Sequence, residues 1–177
     1  MKTKKELRDY FRKLRDAYPI YLIKEKSHLL FDKVLNSDEY LNAKTIFCYI
    51  SFEKEFYTHS FIRTSLLDNK TICVPVVVDK NNMIASKIRS LNNLMINSYG
   101  ILEPIVVEEI KKDKIDLMIV PAITFREDGH RVGYGSGYYD NYLRDYNGNS
   151  IGVTIKEFLS DFEVTREDVA VKKLFIV

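Results

Sequence analysis

A cluster of glycines in the last third of this chain has the residue types and spacing for chemistry. Gly133, Gly135 and Gly137 are three of only seven glycines in 177 residues, and Arg131 and Asp140 flank them. Alternate glycines permit a tight turn whose backbone N–H groups a ligand can approach closely. Successive N–H groups in such a turn bind anions, and a helix that begins after it adds a positive end. We therefore predict a phosphate or carboxylate cradle in residues 133–137, called the glycine loop below.

Tyrosines follow the glycine loop at helical spacing. Tyr139, Tyr142 and Tyr146 predict a helix over 138–146, with Asp140 in its first turn. An aromatic wall and a carboxylate would then lie beside the cradle. No Walker A sequence, dinucleotide fingerprint or kinase glycine loop occurs in the chain, which excludes these common classes of phosphate site. A tight turn with a packed aromatic helix behind it remains an alternative interpretation of the same residues.

Strand-like and helix-like segments alternate along the chain and must position this loop. The predicted helices cover 7–18, 29–35, 58–67 and 138–146, and the predicted strands cover 45–50, 70–78, 84–88, 117–120, 150–155 and 169–177. This alternation predicts an α/β fold, a single three-layer domain over 1–177 with a mainly parallel central sheet flanked by helices on both faces. Residues 108–116 are expected to form a solvated helix or loop. Because ligands collect beyond the carboxyl ends of parallel strands, the apolar run 117–120 should lead toward the glycine loop.

Composition limits the classes of partner. The 27 basic and 25 acidic residues give a net charge of +2, which is too balanced to indicate nucleic-acid binding. No apolar run approaches the roughly 20 residues of a membrane span, and no apolar signal region follows the N-terminus. Cys48 and Cys73 lie in apolar runs typical of buried thiols in a reducing compartment. We expect a cytoplasmic protein with small-molecule partners, without nucleic-acid or membrane partners.

Residues 120–140 resemble the signature of the 5-formyltetrahydrofolate cyclo-ligase family, also called methenyltetrahydrofolate synthetases. Further segments of the family pattern occur in the same order at 4–8, 54–58, 100–104 and 167–171, so the resemblance extends over nearly the whole chain. On these motifs the chain is identified as a member of that family.

The resemblance implies an ATP- and Mg²⁺-dependent ligase that forms a C–N bond in a ring. Such an enzyme converts 5-formyltetrahydrofolate to 5,10-methenyltetrahydrofolate and releases ADP and phosphate. Because the N-formyl oxygen is a poor leaving group, the γ-phosphoryl group of ATP is transferred to it before N10 attacks. This chemistry needs positioning and charge neutralisation more than a protein nucleophile. A monomer would suffice for it.

The resemblance also assigns roles to individual positions. The implied ATP-binding residues are Lys4, Lys5, Arg8, Arg131, Gly133, Tyr134, Gly135, Ser136, Gly137, Tyr138 and Tyr139. The implied folate-binding residues are Ile50, Glu55, Tyr134, Gly135, Ser136, Gly137 and Tyr138. The implied catalytic residues are Arg131, Tyr138 and Asp140, and the implied Mg²⁺ ligands are Asp140 and Asp168.

Five positions depart from the family pattern: Val76, Ala122, Ser136, Glu167 and Lys172. Lys172 stands where a second aspartate is usual and cannot ligate a cation, which leaves Asp168 as the C-terminal candidate ligand. Two alternatives stay open. One is an ATP-dependent phosphoryl transferase or ligase that acts on another pterin or a formamide. The other is a non-catalytic nucleotide- or RNA-binding module that uses the basic N-terminal helix and the tyrosines.

Overall fold

The computed structural model describes residues 2–177 and has the α/β architecture that the sequence predicts. The helices are α1 (Lys4–Ala17), α2 (Ile20–Leu35), α3 (Asp38–Asn42), α4 (His59–Leu67) and α5 (Tyr138–Leu143). The strands are β1 (Thr45–Cys48), β2 (Thr71–Val77), β3 (Met83–Ile88), β4 (Leu94–Ile96), β5 (Leu102–Pro104), β6 (Glu109–Ile110), β7 (Leu117–Val120), β8 (Thr124–Phe125), β9 (Arg131–Val132), β10 (Asn149–Thr154) and β11 (Lys173–Ile176).

Seven strands form the central sheet, in the order β11-β10-β7-β1-β2-β3-β6. The first five strands in this order run parallel to one another, whereas β3 is antiparallel to both β2 and β6. Two antiparallel hairpins, β4–β5 and β8–β9, lie outside this sheet. The sheet is therefore mixed and mostly parallel.

The central strands are buried on both faces, so successive residues enter different hydrophobic cores. In β7, Leu117 and Ile119 belong to the larger core, and Met118 and Val120 belong to the smaller one. Helices α1 to α4 contribute to the larger core, and α5 contributes to the smaller one. Helices thus cover both faces, as a three-layer domain requires, but four of them lie on one side.

The first helix is fixed at its beginning by a capping box. The Thr3 hydroxyl accepts a hydrogen bond from Glu6 N at 3.2 Å, and the Glu6 carboxylate accepts one from Thr3 N at 2.7 Å. These two bonds satisfy N–H groups that the helix itself leaves free. Its first residue is Lys4, whose position at the cavity described below depends on this cap.

Several boundaries differ from the sequence-based predictions. The last strand is confined to β11, because Val169 N and Val171 N bond instead to Asp140 and Gly129. Helix α2 begins directly after Pro19, so this proline starts a helix as well as ending α1. The prediction of a helix or loop over 108–116 was partly wrong, because β6 pairs with β3.

Other predictions agree with the structure. Cys48 and Cys73 are buried free thiols. Within residues 2–177, no helix combines the length and the hydropathy needed to cross a membrane.

Candidate functional site

A cavity of about 300 Å³ opens where the parallel strands end. Tyr49 and Ile50 follow β1, and Pro121 follows β7. The segments after both central strands therefore line the cavity. This is the edge of the sheet at which ligands bind in open α/β folds. The lining residues are Lys4, Arg8, Tyr49, Ile50, Phe52, Glu55, Pro75, Val77, Met83, Ile101, Leu102, Glu103, Pro121, Arg131, Val132, Gly133, Tyr134, Gly135, Ser136, Gly137, Tyr138, Tyr139, Asp140 and Asp168.

The structure brings almost all of the sequence-predicted site residues to this one cavity. They come from the N-terminal helix, from the segment after β1, from the glycine loop with α5, and from the segment before β11. Lys5 differs, because its side chain is exposed and does not line the cavity. Positions up to 164 residues apart in sequence thus contribute to a single space.

The glycine loop has the open backbone that its sequence predicts. Gly135 and Gly137 have φ angles of +117° and +71°, in the region that side-chain-bearing residues avoid. Arg8 Nε donates a hydrogen bond of 2.8 Å to Gly133 O and so ties α1 to the loop. Within residues 2–177, none of the N–H groups of 133–137 donates to a protein acceptor. Unused N–H groups at a cavity wall are suited to an anion.

Buried Arg131 and partly exposed Asp140 form an ion pair beside the glycine loop. Arg131 Nη2 lies 3.0 Å from Asp140 Oδ1, and Arg131 Nη1 donates to Val169 O at 2.7 Å. Only 2% of the Arg131 side chain is exposed, and burial lowers its pKa while Asp140 opposes that effect. Asp140 Oδ1 also accepts from Val169 N at 3.1 Å, and Oδ2 has no protein donor within the described residues. One oxygen of this carboxylate therefore remains open to a ligand.

Lys4 and Asp168 form a second ion pair at the cavity. The Lys4 ammonium lies 2.5 Å from both carboxylate oxygens of Asp168, which also accepts from Thr165 N at 2.8 Å. Burial raises the pKa of Asp168, but the bonds from Lys4 and Thr165 outweigh it and hold the pKa below its usual value. Asp168 is therefore a charged carboxylate at neutral pH.

Glu55 is a half-buried carboxylate in another part of the cavity wall. Its Oε2 accepts a hydrogen bond of 2.8 Å from Phe52 N, which fixes the side chain within its own turn. Burial raises the pKa of Glu55, although Tyr134, Phe52 N–H and Arg15 each favour the charged form. Tyr134 is 46% exposed, and desolvation together with the charge of Glu55 raises the pKa of its phenol.

Tyr139 completes the aromatic wall. Its ring stacks on Phe47 at a centroid distance of 6.3 Å and an interplanar angle of 22°. Burial raises the pKa of its hydroxyl well above the ordinary value. Tyr138 lies on the same wall, and its hydroxyl donates to Asp79 O at 3.3 Å. Flat rings in these positions suit a planar heterocycle.

Some lining residues were not singled out from the sequence. Glu103 belongs to the segment 100–104 that resembles the family pattern, but the sequence did not show which groups its carboxylate contacts. Its Oε1 accepts from Val77 N and from Asn97 Nδ2, each at 2.9 Å, and joins the β4–β5 hairpin to β2. Pro75 and Met83 reach the cavity only through the pairing of β2 with β3, for which the sequence carries no local signal.

A family model described as "5-formyltetrahydrofolate cyclo-ligase family" matches residues 1–164 of this chain. The chain belongs to the 5-formyltetrahydrofolate cyclo-ligase family. The match includes the glycine loop, Arg131, Asp140 and Glu55, and it ends before Asp168.

Curated relatives of this cyclo-ligase support the same assignment. The 5-formyltetrahydrofolate cyclo-ligase of Haemophilus influenzae is 27% identical over 85% of this chain and 83% of its own length. The mitochondrial 5-formyltetrahydrofolate cyclo-ligase of Arabidopsis thaliana is 32% identical over 82% of this chain and 58% of its own length.

Solved structures share the fold of the cyclo-ligase. The 5,10-methenyltetrahydrofolate synthetase of Aquifex aeolicus is 24% identical, with a TM-score of 0.86 over 98% of this chain and 89% of that one. The 5,10-methenyltetrahydrofolate synthetase of Mycoplasma pneumoniae is 20% identical, with a TM-score of 0.80 over 98% of both chains.

Proposed function

We propose that this cyclo-ligase binds ATP and 5-formyltetrahydrofolate side by side in the described cavity and joins N5 and N10 of the folate there. The observation that carries the proposal is the convergence of residues. Basic side chains of α1, the glycine loop and the half-buried Glu55 line one space, although they are distant in sequence. Bringing two substrates together in one orientation supplies a large part of the rate enhancement in such reactions.

The triphosphate of ATP would lie along the glycine loop. The free N–H groups of 133–137 are donors to phosphate oxygens, and Arg8 and Lys4 reach the same wall from α1. Arg131 is held rigidly by Asp140 and Val169, so its charge is fixed beneath the loop. Fixed positive groups of this kind stabilise the charge that develops during phosphoryl transfer.

The donor set fits the Mg²⁺ that accompanies ATP. Within residues 2–177, no cluster of three or more His, Cys, Asp or Glu side chains forms a complete protein cage for a metal. Mg²⁺ needs only one or two carboxylates with phosphate and water, and Asp140 and Asp168 provide those carboxylates. Asp140 has an unused oxygen, whereas both oxygens of Asp168 are paired with Lys4, so Asp168 would hold the ion only once Lys4 turns to the phosphates. When bound, the ion would neutralise phosphate charge beside the loop.

The pterin ring of the folate would occupy the other part of the cavity. Glu55 is the carboxylate acceptor available to the ring N–H groups, Ile50 supplies an apolar contact, and the tyrosines supply flat rings. The formyl group would then face the γ-phosphate across the glycine loop. Tyr134 would serve both parts, because it belongs to the loop and the charge of Glu55 raises the pKa of its phenol.

The reaction then needs no protein nucleophile. The formyl oxygen attacks the γ-phosphorus and ADP leaves. N10 then attacks the activated formyl carbon, phosphate departs with the former formyl oxygen, and the proton of N10 is released to solvent. The side chains of Lys4, Arg8 and Arg131 hold the charged groups in line.

One chain carries every residue used in this proposal, so we propose a single domain that acts as a monomer. The buried free thiols of Cys48 and Cys73 suit a reducing compartment such as the cytoplasm.

The activity is tested by mixing the purified protein with 5-formyltetrahydrofolate, ATP and Mg²⁺ and following the near-ultraviolet absorbance of the methenyl product. We expect a rise that requires ATP and is lost in Asp140→Asn. Asp145→Asn is the matched control, since Asp145 lies just after α5 and its side chain is 78% exposed. A folded protein that binds ATP but gives no rise would refute the proposed substrate.

A further inference from the structure

Arg15 is a buried cation behind the cavity that neither the substrates nor the metal would touch. It lies on the last turn of α1, is only 6% exposed, and is not among the residues that line the cavity. We propose that Arg15 is a positioning residue that holds Glu55 in place and in its charged form for folate binding. The inference rests on the folate-binding role proposed above for Glu55.

The guanidinium of Arg15 joins two segments of the cavity wall. Nη1 donates to Lys54 O at 3.2 Å, directly before Glu55 in the chain. Nη2 donates to Ala122 O at 3.0 Å and to Ile123 O at 2.9 Å, and Nε donates to Ile123 O at 3.2 Å. The planar fork of an arginine can serve several acceptors at once, which a lysine cannot. Arg15 therefore links the backbone of the turn that contains Glu55 to the segment that follows β7.

The same turn is tied to α1 from the other direction. Lys54 Nζ donates to Tyr18 O at 2.7 Å and to Asp16 O at 3.1 Å, at the C-terminal end of the helix. The position of Glu55 is thus set by α1, which bonds to the preceding residue, Lys54, through both its carbonyl oxygen and its side chain. One helix carries Lys4 and Arg8 at the ATP end of the cavity and Arg15 at the folate end.

A buried charge without an ion pair is costly, and Arg15 is such a charge. Within residues 2–177, no carboxylate lies within 4.0 Å of its guanidinium. Its neighbours are the rings of Phe158 and Phe56, whose centroids lie 4.4 Å and 5.4 Å from Cζ. The three backbone carbonyl groups that accept hydrogen bonds from Arg15 need a donor but not a full positive charge, so the charge needs another explanation.

Glu55 supplies that explanation. Burial lowers the pKa of Arg15, and Glu55 is the only carboxylate among the groups that oppose this effect. Within the described part of the chain, Arg15 is in turn the cation that favours the charged form of Glu55. The titratable groups whose charges interact with that of Glu55 are Arg15, Cys48, Tyr49, Glu53, Tyr134 and Tyr139. Of these, Tyr134 favours the charged carboxylate as a neutral hydrogen-bonding group, and Arg15 favours it with an opposite charge.

The proposal is tested by a double-mutant cycle of Arg15→Gln and Glu55→Gln, with the affinities for 5-formyltetrahydrofolate and for ATP with Mg²⁺ measured separately. We expect Arg15→Gln to weaken folate binding about tenfold and to leave ATP binding within about twofold. In the Glu55→Gln background the same substitution should change folate affinity by less than about twofold. Arg12→Gln is the control, because Arg12 is exposed on the same helix.

Three outcomes decide between the roles. If Arg15→Gln weakens ATP and folate binding equally, or acts just as strongly without Glu55, Arg15 is merely structural and the proposal is overturned. If Glu55→Gln itself leaves folate affinity unchanged, the proposed role of Glu55 is what fails. Should Arg15→Gln not fold, Arg15→Lys replaces it; a loss confined to folate affinity supports the proposal, and an unchanged folate affinity refutes it.

Discussion

Arg8 Nε donates a hydrogen bond of 2.8 Å to the carbonyl oxygen of Gly133, across 125 residues of sequence. This bond turns the Gly133 carbonyl toward α1, and the N–H groups that follow in the glycine loop remain free. Arg8 therefore shapes the loop as well as adding charge to the cavity. Hydrogen bonds of charged donors contribute more to binding and stability than neutral ones.

Replacing Arg8 by glutamine should weaken ATP binding about tenfold or more, because both the charge and the bond to the loop are lost. Lys5→Gln provides the comparison, since Lys5 is the next basic residue but is exposed outside the cavity. We expect it to change ATP affinity by less than about threefold, as removal of an exposed charge usually does. Calorimetric titration with ATP and Mg²⁺ measures both variants. Equal losses would show that α1 acts only through its net charge.

The backbone of Gly137 should be intolerant of a side chain even without ligand. Its φ of +71° places it in the left-handed region immediately before α5. Gly137→Ala should therefore lower the free energy of unfolding by about 1–2 kcal/mol. Gly133→Ala is the matched control, because its φ is not positive and no atom lies within 4 Å of the added Cβ. Denaturant unfolding of the apo proteins should show a change of less than about 0.5 kcal/mol for the control.

Glu55→Gln should stabilise the protein at neutral pH while weakening folate binding. Because burial raises the pKa of Glu55 in the folded state, the folded protein holds its proton at pH values where the unfolded chain has released it. Stability is therefore lost as the pH rises through the folded-state pKa. A neutral glutamine avoids this loss, so the stability gain should appear near neutral pH and vanish below about pH 4.

Unfolding free energies at several pH values check this expectation. Glu53→Gln is the control, because Glu53 is an exposed neighbour in the same turn. A gain for Glu55→Gln that is the same at every pH would contradict the buried-charge explanation. A gain at neutral pH together with weaker folate binding would show that this carboxylate is kept for binding at the expense of stability.

The parts of the fold and the site with strong local signals could be predicted from the sequence. The apolar run 117–120 became the fully buried β7, and the glycine loop has the positive φ angles that its composition indicates. Helix α5 ends at Leu143, earlier than predicted, and the Tyr146 hydroxyl bonds to Ile115 O and Asn149 O. A periodic tyrosine pattern does not distinguish the helix from the loop that follows it.

Contacts that depend on tertiary structure could not be predicted. Arg15 is one of many basic residues in a helix, and nothing in its local sequence shows that three carbonyl groups surround it. Glu103 was part of a recognised segment, yet its bond to Val77 exists only because β5 packs beside β2. Partners that are remote in sequence leave no periodic signal, so these positions required the structure.

The proposed reaction transfers the γ-phosphoryl group of ATP to the formyl oxygen of the folate in this cavity. We would supply 5-formyltetrahydrofolate that carries ¹⁸O in the formyl group and determine the mass of the phosphate released as the methenyl product forms. We expect one ¹⁸O atom in each phosphate. Methenyl product accompanied by unlabelled phosphate would contradict it, because ATP hydrolysis would then proceed without phosphorylation of the folate.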